Sequence, residues 1–350
     1  MNPWNHTPII GQAPMDGVTD AAFRYITDLY GKPDVLFTEF VNVEGLGRNA
    51  VKLLNAFIKH TTATPIIGQL YGTDLHHFYN AALIVAELGF SGMDINMGCP
   101  ASNIARRGAG AGLIRTPDRA KEIIHIVKKA SLDFADGATI DSTDATKAVK
   151  KWVHDHKPEN VSRSILPISV KTRIGYDEII TTEWMQHLLE ASPTAITIHG
   201  RTLKQMYTGI ANWDEIGKSS EIAKGSGVKI LGNGDVSSLE DANEKIQTYN
   251  LDGVLIGRAS FGNPWIFKGI EVSIAARLQA ALEHCRAFQS LTLHAHFAGL
   301  RKHMVWYCKF FRNSASVRDQ LMHIETVQDV ENILIPIISS LEQNRRSAFI

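Results

Sequence analysis

Short apolar runs, each closed by Gly, Pro or polar residues, recur along most of this chain. They are Pro8–Ala13, Val35–Glu39, Pro65–Leu70, Gly92–Asn96, Pro167–Lys171, Ala195–His199, Val228–Leu231 and Gly253–Ile256. A run of this length between turn residues reads as a buried strand. The stretches between most of them are amphipathic at a period near 3.6. Leu75–Leu88 carries Leu75, Phe78, Ala82, Val85 and Ala86 on one face, and Asp118–Ala130 carries Ala120, Ile123, Ile124 and Val127. Thr116 or Asp118 would cap the second helix, with Pro117 in its first turn, and Ser237 or Ser238 would start a third over Leu239–Ile246.

Strands that alternate with helices pair in parallel. Eight such units fit a (β/α)8 TIM barrel of about 250 residues. An open doubly wound sheet is the rival. The count of eight weakens it, and so does the lack of a dinucleotide fingerprint at the first strand. Gly232-Asn233-Gly234-Asp235-Val236-Ser237 comes near GxGxxG, but it lies late and ends in Ser. One interval is overlong: 131–164 is rich in Asp, Thr, Ser and Lys, with a helical piece near Ala145–His156. It reads as a mobile surface insertion, since long loops add little closure entropy. Beyond Gly262-Asn263-Pro264-Trp265 the strand pattern stops. The chain therefore divides into a barrel, 1–268, and a smaller C-terminal helical domain, 269–350.

Composition narrows the class. Apolar residues make up 44% and charged residues 21% of 350, ordinary for a soluble globular protein. No apolar run is long enough to span a bilayer, and Met1–His6 lacks the basic start and apolar stretch of a secretory signal. Cysteines at 99, 285 and 308 make neither a disulfide framework nor a metal spacing, so a reducing cytoplasm is expected. The formal net charge is zero. Any nucleic-acid affinity must come from a local patch. Arg301, Lys302, His303, Lys309, Arg312 and Arg318 cluster with Trp306, Tyr307, Phe310 and Phe311. They form either a solvated basic face or a phosphate-contacting surface.

In barrels the chemistry sits on the loops after the strands. Here those ends carry Pro14-Met15-Asp16-Gly17, Gln69, Asn96 and Cys99, Lys171 and Arg173, and His199 and Arg201. The last two carry Asn233-Gly234-Asp235 and Gly257-Arg258. Cys99 follows the fourth strand in Asn96-Met97-Gly98-Cys99-Pro100. A thiol of pKa about 8.5 is mostly protonated near neutrality and can act as an acid, though a free Cys often only packs a turn. Glycines in the last two loops let backbone N–H groups approach an anion, and barrels often bind phosphate there. Lys171 could form a Schiff base or stand as a fixed cation beside an anionic ring. A lone strand-end lysine is otherwise a solvent-facing charge.

These motifs together resemble the tRNA-dihydrouridine synthases. The resemblance runs through Ala13–Asp20, Gln69-Leu70-Tyr71-Gly72, Asn96–Pro100, Gly108–Ala111, Lys171-Thr172-Arg173, His199-Gly200-Arg201-Thr202, Gly232–Asp235 and Gly257-Arg258 with Gly262–Trp265. Arg301-Lys302-His303 with Trp306-Tyr307 is similar to the bacterial B-type subfamily, which suggests position 17 of the D-loop as the target. The family pattern implies an FMN-binding barrel followed by a helical tRNA-binding domain. It implies reduction of the C5–C6 bond of a tRNA uridine, with NADPH as the electron source.

The resemblance also implies roles. Pro14 and Met15 pack near the flavin, and Gln69 and Lys171 bond its polar edge. Asn233, Gly234, Asp235, Gly257 and Arg258 hold ribityl and phosphate groups, with His199 among the cofactor-binding residues. Flavin N5 gives hydride to C6, and Cys99 protonates C5 from the opposite face. Asn96 recognises the uracil edge, Arg173 or His199 contacts base or phosphate, and Arg301, Lys302 and Lys309 contact tRNA. Cys99 should lie apart from Lys171 and Arg173, whose charges would depress its pKa. The target base must leave its stack. A monomer with no stable protein partner, no metal and no membrane attachment is expected. A Schiff-base lyase, a non-catalytic RNA-binding protein and a flavin barrel acting on a free pyrimidine are the alternatives. The 131–164 segment is longer than the family pattern implies, and Arg106-Arg107 adds charge after Cys99.

Overall fold

Eight parallel strands in a computed structural model are ordered β1-β8-β7-β6-β5-β4-β3-β2. The structure describes residues 2–292 and 296–347. The strands are β1 (Ile9–Gln12), β2 (Leu36–Asn42), β3 (Ile66–Tyr71), β4 (Gly92–Met97), β5 (Ile168–Arg173), β6 (Ala195–His199), β7 (Lys229–Asn233) and β8 (Gly253–Ile256). Each overlaps its expected run. Two backbone bonds link β1 to the start of β2: Gln12 N–H to Val35 O at 2.9 Å and Asp34 N–H to Ile10 O at 3.0 Å. The architecture is the (β/α)8 barrel.

The helices are α1 (Ala21–Tyr30), α2 (Val43–Gly47), α3 (Leu75–Glu87), α4 (Ser102–Ala105), α5 (Pro117–Ala135), α6 (Lys147–His156), α7 (Thr181–Glu190), α8 (Trp213–Ala223), α9 (Leu239–Thr248), α10 (Ile274–Leu291), α11 (Ala298–Tyr307), α12 (Ser314–Leu321) and α13 (Val327–Ser347). Side-chain oxygens of Asp20, Asp74, Ser238 and Ser273 accept from first-turn N–H groups and fix where α1, α3, α9 and α10 begin. Thr116 sits at the N-cap of α5 without a side-chain bond, so Pro117 starts that helix by its fixed φ. The helix runs past Ala130 because Ser131 and Phe134 continue its buried face.

Residues alternate in and out along each strand. Ile9, Val35, Phe37, Ile67, Ala195, Leu231 and Leu255 fill one end of the barrel interior. Toward the other end, polar side chains take over. A larger apolar layer joins strands to the surrounding helices, and a separate cluster lies within α10–α13. The second cluster also takes in Ala22 and Ile26 of α1 and Trp265, so α1 serves both parts.

The 131–164 segment is fastened to the barrel rather than loose on its surface. Ile140, Val149 and Val153 are buried in the strand–helix core. Asp144 accepts from Asn80 Nδ2 at 2.8 Å and pairs with His76 Nε2 at 2.7 Å. Ile140 N–H donates to Glu87 Oε1 of α3, and Thr146 Oγ1 donates to Asn49 Oδ1 at 2.6 Å.

Candidate active site

A cavity of about 620 Å³ opens where the strands end, lined by residues at or after the ends of every strand but β3. Strand register builds its floor. Asn96 lies opposite Lys171, Arg173 opposite His199, and His199 opposite Asn233. All five line the cavity, as do Pro14, Met15, Cys99, Gly234, Asp235, Gly257 and Arg258.

Cys99 stands on the loop after β4. Its N–H donates to Asn96 Oδ1 at 2.8 Å, and Gly98 N–H donates to the same oxygen at 3.1 Å. Burial pushes the thiol pKa up, and Asp16 pushes it the same way. Ala101 N–H, Arg173 and Lys171 oppose this without reversing it. The expected separation from the two cations is therefore not found: all three line one cavity, and desolvation keeps the thiol protonated.

Lys171 is mostly buried. Burial first and Arg173 second lower its pKa to about 8, while Asp94 and Cys99 oppose the fall. Among the described residues its ammonium has no hydrogen-bond or ion-pair partner. His199 is held neutral by burial and by neighbouring Lys171, Arg173, Arg201 and Arg258. Its Nε2 faces Arg201 Nη1 at 3.3 Å.

Arg173 is 3% exposed and bound internally. Its Nε donates to Gly98 O at 2.7 Å, and its Nη1 donates to Thr202 O and Met206 O. It ties the Cys99 loop to the loop after β6. Arg201 continues that bracket through Thr208 O and Gly209 O. Asp235 accepts from Arg201 at 2.5 Å, Arg258 at 2.7 Å and Ala211 N–H at 2.9 Å. A carboxylate so occupied aims Arg258 rather than meeting an anion itself. Asn233 Nδ2 donates to Leu255 O at 2.8 Å. Gly234 has φ +119, and a Cβ there would meet Ala211 and His199 at 2.8 Å.

Gln69 is fully buried and lies off the cavity wall. Its Nε2 donates to Asp94 Oδ2 at 2.7 Å, and its Oε1 accepts from Asn96 Nδ2 at 3.0 Å. Ser169 Oγ donates to the other Asp94 oxygen at 2.6 Å.

The basic cluster is not one face. Arg301 Nε donates to Ile324 O at 3.0 Å. Lys302 reaches the loop after β1, where its Nζ lies 3.1 Å from the place a Cβ on Gly17 would take. His303 is buried against Phe23 and His284. Lys309 and Arg312 are exposed, as are Arg106 and Arg107. Trp306 stacks on Phe261, a cavity residue, at 3.9 Å and 10°. Sequence reasoning gave no role to Asp94, Asp16, Met206, Tyr207 or Phe261. For Asp94 the signal was a carboxylate inside an otherwise apolar run.

A thiol, an unpaired ammonium and a neutral imidazole converge on the face where barrels of this architecture carry out chemistry, which defines a barrel enzyme. The chain belongs to the dihydrouridine synthase family, whose model, "Dihydrouridine synthase (Dus)", matches residues 11–133 and 144–342. It is 30% identical to a "Probable tRNA-dihydrouridine synthase" of Staphylococcus aureus (strain MRSA252), over 96% of this chain and 95% of that protein. It is also 30% identical to "Probable tRNA-dihydrouridine synthase 1" of Synechocystis sp. (strain ATCC 27184 / PCC 6803 / Kazusa), covering 94% of this chain and 86% of the other. DHODH from Eimeria tenella, solved in complex with ferulenol, shares the fold. Its TM-score is 0.52 at 10% identity, over 80% of this chain and 86% of that one. Residues 134–143, within the 131–164 segment, fall outside the family match.

Proposed function

We propose that this cavity binds FMN and reduces the C5–C6 double bond of a tRNA uridine, with NADPH as the electron donor. The observation that carries the reading is a partnerless Lys171 ammonium sharing one cavity with a protonated Cys99 thiol. The residues suit the cofactor. The cavity volume lies in the range of cofactor sites. Lys171 offers positive charge to an electron-rich ring. A Cβ on Gly257 would lie in contact with Met15 Sδ at 3.5 Å and Ala13 Cβ at 3.8 Å on the cavity wall, which the bare glycine leaves clear, and Arg258 offers a guanidinium at the mouth.

The chemistry that FMN supplies when bound is hydride donation to the uracil C6. The protein's own part is proton delivery and placement. Cys99 Sγ gives its proton to C5, and desolvation keeps that proton on sulfur until the carbon needs it. Asn96 meets an edge of the base. Arg173 holds the Cys99 loop in place, and Asp235 aims Arg258 toward phosphate. The exposed cations Lys309 and Arg312 contact the tRNA backbone. The same reading has the chain act as a monomer in the cytoplasm, with position 17 as the target.

The test is direct. The purified protein should carry FMN that NADPH reduces. Cys99→Ala should keep both properties and lose dihydrouridine formation by at least about 100-fold, within the range of general-acid catalysis. Full activity in that variant removes the acid assignment. A colourless protein that forms no dihydrouridine removes the whole reading.

A further inference from the structure

We propose that Asp94 is a positioning residue that fixes the orientation of the uracil-facing amide of Asn96 and the backbone of Cys99 through Gln69. This rests on the reading of the cavity given above. The relay runs in one direction. Asp94 Oδ2 accepts from Gln69 Nε2 at 2.7 Å, so the other end of that amide, Oε1, is turned to accept from Asn96 Nδ2 at 3.0 Å. Asn96 Oδ1 is then turned to the N–H groups of Gly98 and Cys99 at 3.1 and 2.8 Å. Ser169 Oγ holds the far oxygen of Asp94 at 2.6 Å. Asp94, Gln69 and Ser169 are wholly buried and Asn96 is 7% exposed, so water does not compete for these groups.

An ionised carboxylate has no proton to donate. It therefore admits one orientation of Gln69, and that orientation admits one of Asn96. Both lone-pair directions of Asn96 Oδ1 are filled and one Nδ2 hydrogen is used. A single N–H donor remains for the cavity that Asn96 lines. A donor pairs with a pyrimidine carbonyl oxygen and not with an amino group. The choice of uracil over cytosine at that edge would thus be set two residues away from the base. The same relay holds the Cys99 N–H and so the height of the thiol above the cavity floor.

Two substitutions of Asp94 test this on the full-length protein as purified. Asp94→Asn puts a donor beside the acceptor, so both orientations of Gln69 become allowed, and it should shift the same properties as Asp94→Ala in the same direction but by less. Asp94→Ala removes the acceptor. It should slow flavin reoxidation by tRNA at least tenfold while NADPH-driven flavin reduction stays within twofold. Iodoacetamide should also alkylate Cys99 at least threefold faster, with the fully buried Cys285 and Cys308 still unreactive. A merely structural carboxylate would instead expose all three cysteines and release flavin, and that outcome overturns the proposal. So does an Asp94→Ala protein that matches wild type in both arms.

Should Asp94→Ala not fold, Gln69→Glu sets two carboxylates face to face and should speed Cys99 alkylation. Adding Asp94→Asn restores a donor–acceptor pair and should return the rate to that of wild type. Failure of the double variant to recover overturns the relay. Alkylation does not depend on flavin chemistry. A wild-type protein that NADPH does not reduce would count against the proposed reaction and leave the relay measurable.

Discussion

Lys171 is a charge buried at a cost, and the sign of that cost can be measured. Its folded pKa of about 8 lies below the ordinary 10.5. The unfolded chain therefore holds the proton more tightly than the folded one between those values. Stability rises with pH wherever the unfolded state binds more protons. The Lys171 penalty is thus full below pH 8 and fades as pH climbs toward 10.5. At about 1.4 kcal/mol per decade of proton affinity it is worth about 3 kcal/mol at most. Lys171→Met should remove it. Flavin-free Lys171→Met protein is expected to melt above wild type at pH 7, and the gap should narrow steadily as pH rises from 8 toward 10.5. Equal melting temperatures at pH 7 would mean that the ammonium is well solvated and unavailable as a cavity cation. The same variant should lower the affinity for FMN, because the charge that destabilises the empty site is the one offered to the cofactor.

At the level of elements, sequence pattern and structure agree where burial decides and diverge where partners decide. All eight strands were legible because a strand enclosed by a barrel and its helices is apolar along its length. The strand-end residues Asn96, Lys171, His199 and Asn233 were legible for a related reason: polar groups at the ends of apolar runs have few structural uses. Arg173 was not. Nothing in its spacing says that its guanidinium would bind the carbonyls of Gly98, Thr202 and Met206. Asp94 stayed hidden because one carboxylate in a buried strand does not disturb the pattern. The insertion looked loose because three buried residues, Ile140, Val149 and Val153, are sparse among polar neighbours.

One glycine joins the two parts of the chain and carries its own prediction. Gly262 has φ +66, and a Cβ there would lie 2.3 Å from Trp306 O at the end of α11. Gly262→Ala combines left-handed strain with a backbone clash, each worth about 1–3 kcal/mol. The expected result is a stability loss of about 2 kcal/mol or more, with a change in near-ultraviolet dichroism as the Phe261–Trp306 stack separates. A loss under about 1 kcal/mol would show that α11 can shift without harm.

At the scale of the whole molecule, a formal net charge of zero gives tRNA no long-range attraction to follow. Binding must depend on where individual cations stand, and the structure separates two that sequence placed together. Lys309 follows α11 and is exposed. Lys302 turns toward Gly17, and its charge acts on Asp16 and Asp20 of the loop after β1. A cation that meets one phosphate contributes about 1 to the slope of log affinity against log salt, whereas one facing a protein carboxylate contributes none. Lys309→Ala should therefore weaken tRNA binding, lower that slope by about 1 and leave flavin content unchanged. Lys302→Ala should leave the slope alone, because its charge is directed at Asp16 and Asp20 and not at phosphate. Filter binding of tRNA over a salt series reads both. If Lys302→Ala lowers the slope as Lys309→Ala does, the lysine leaves the barrel loop when tRNA arrives, and α11 meets the nucleic acid with both charges.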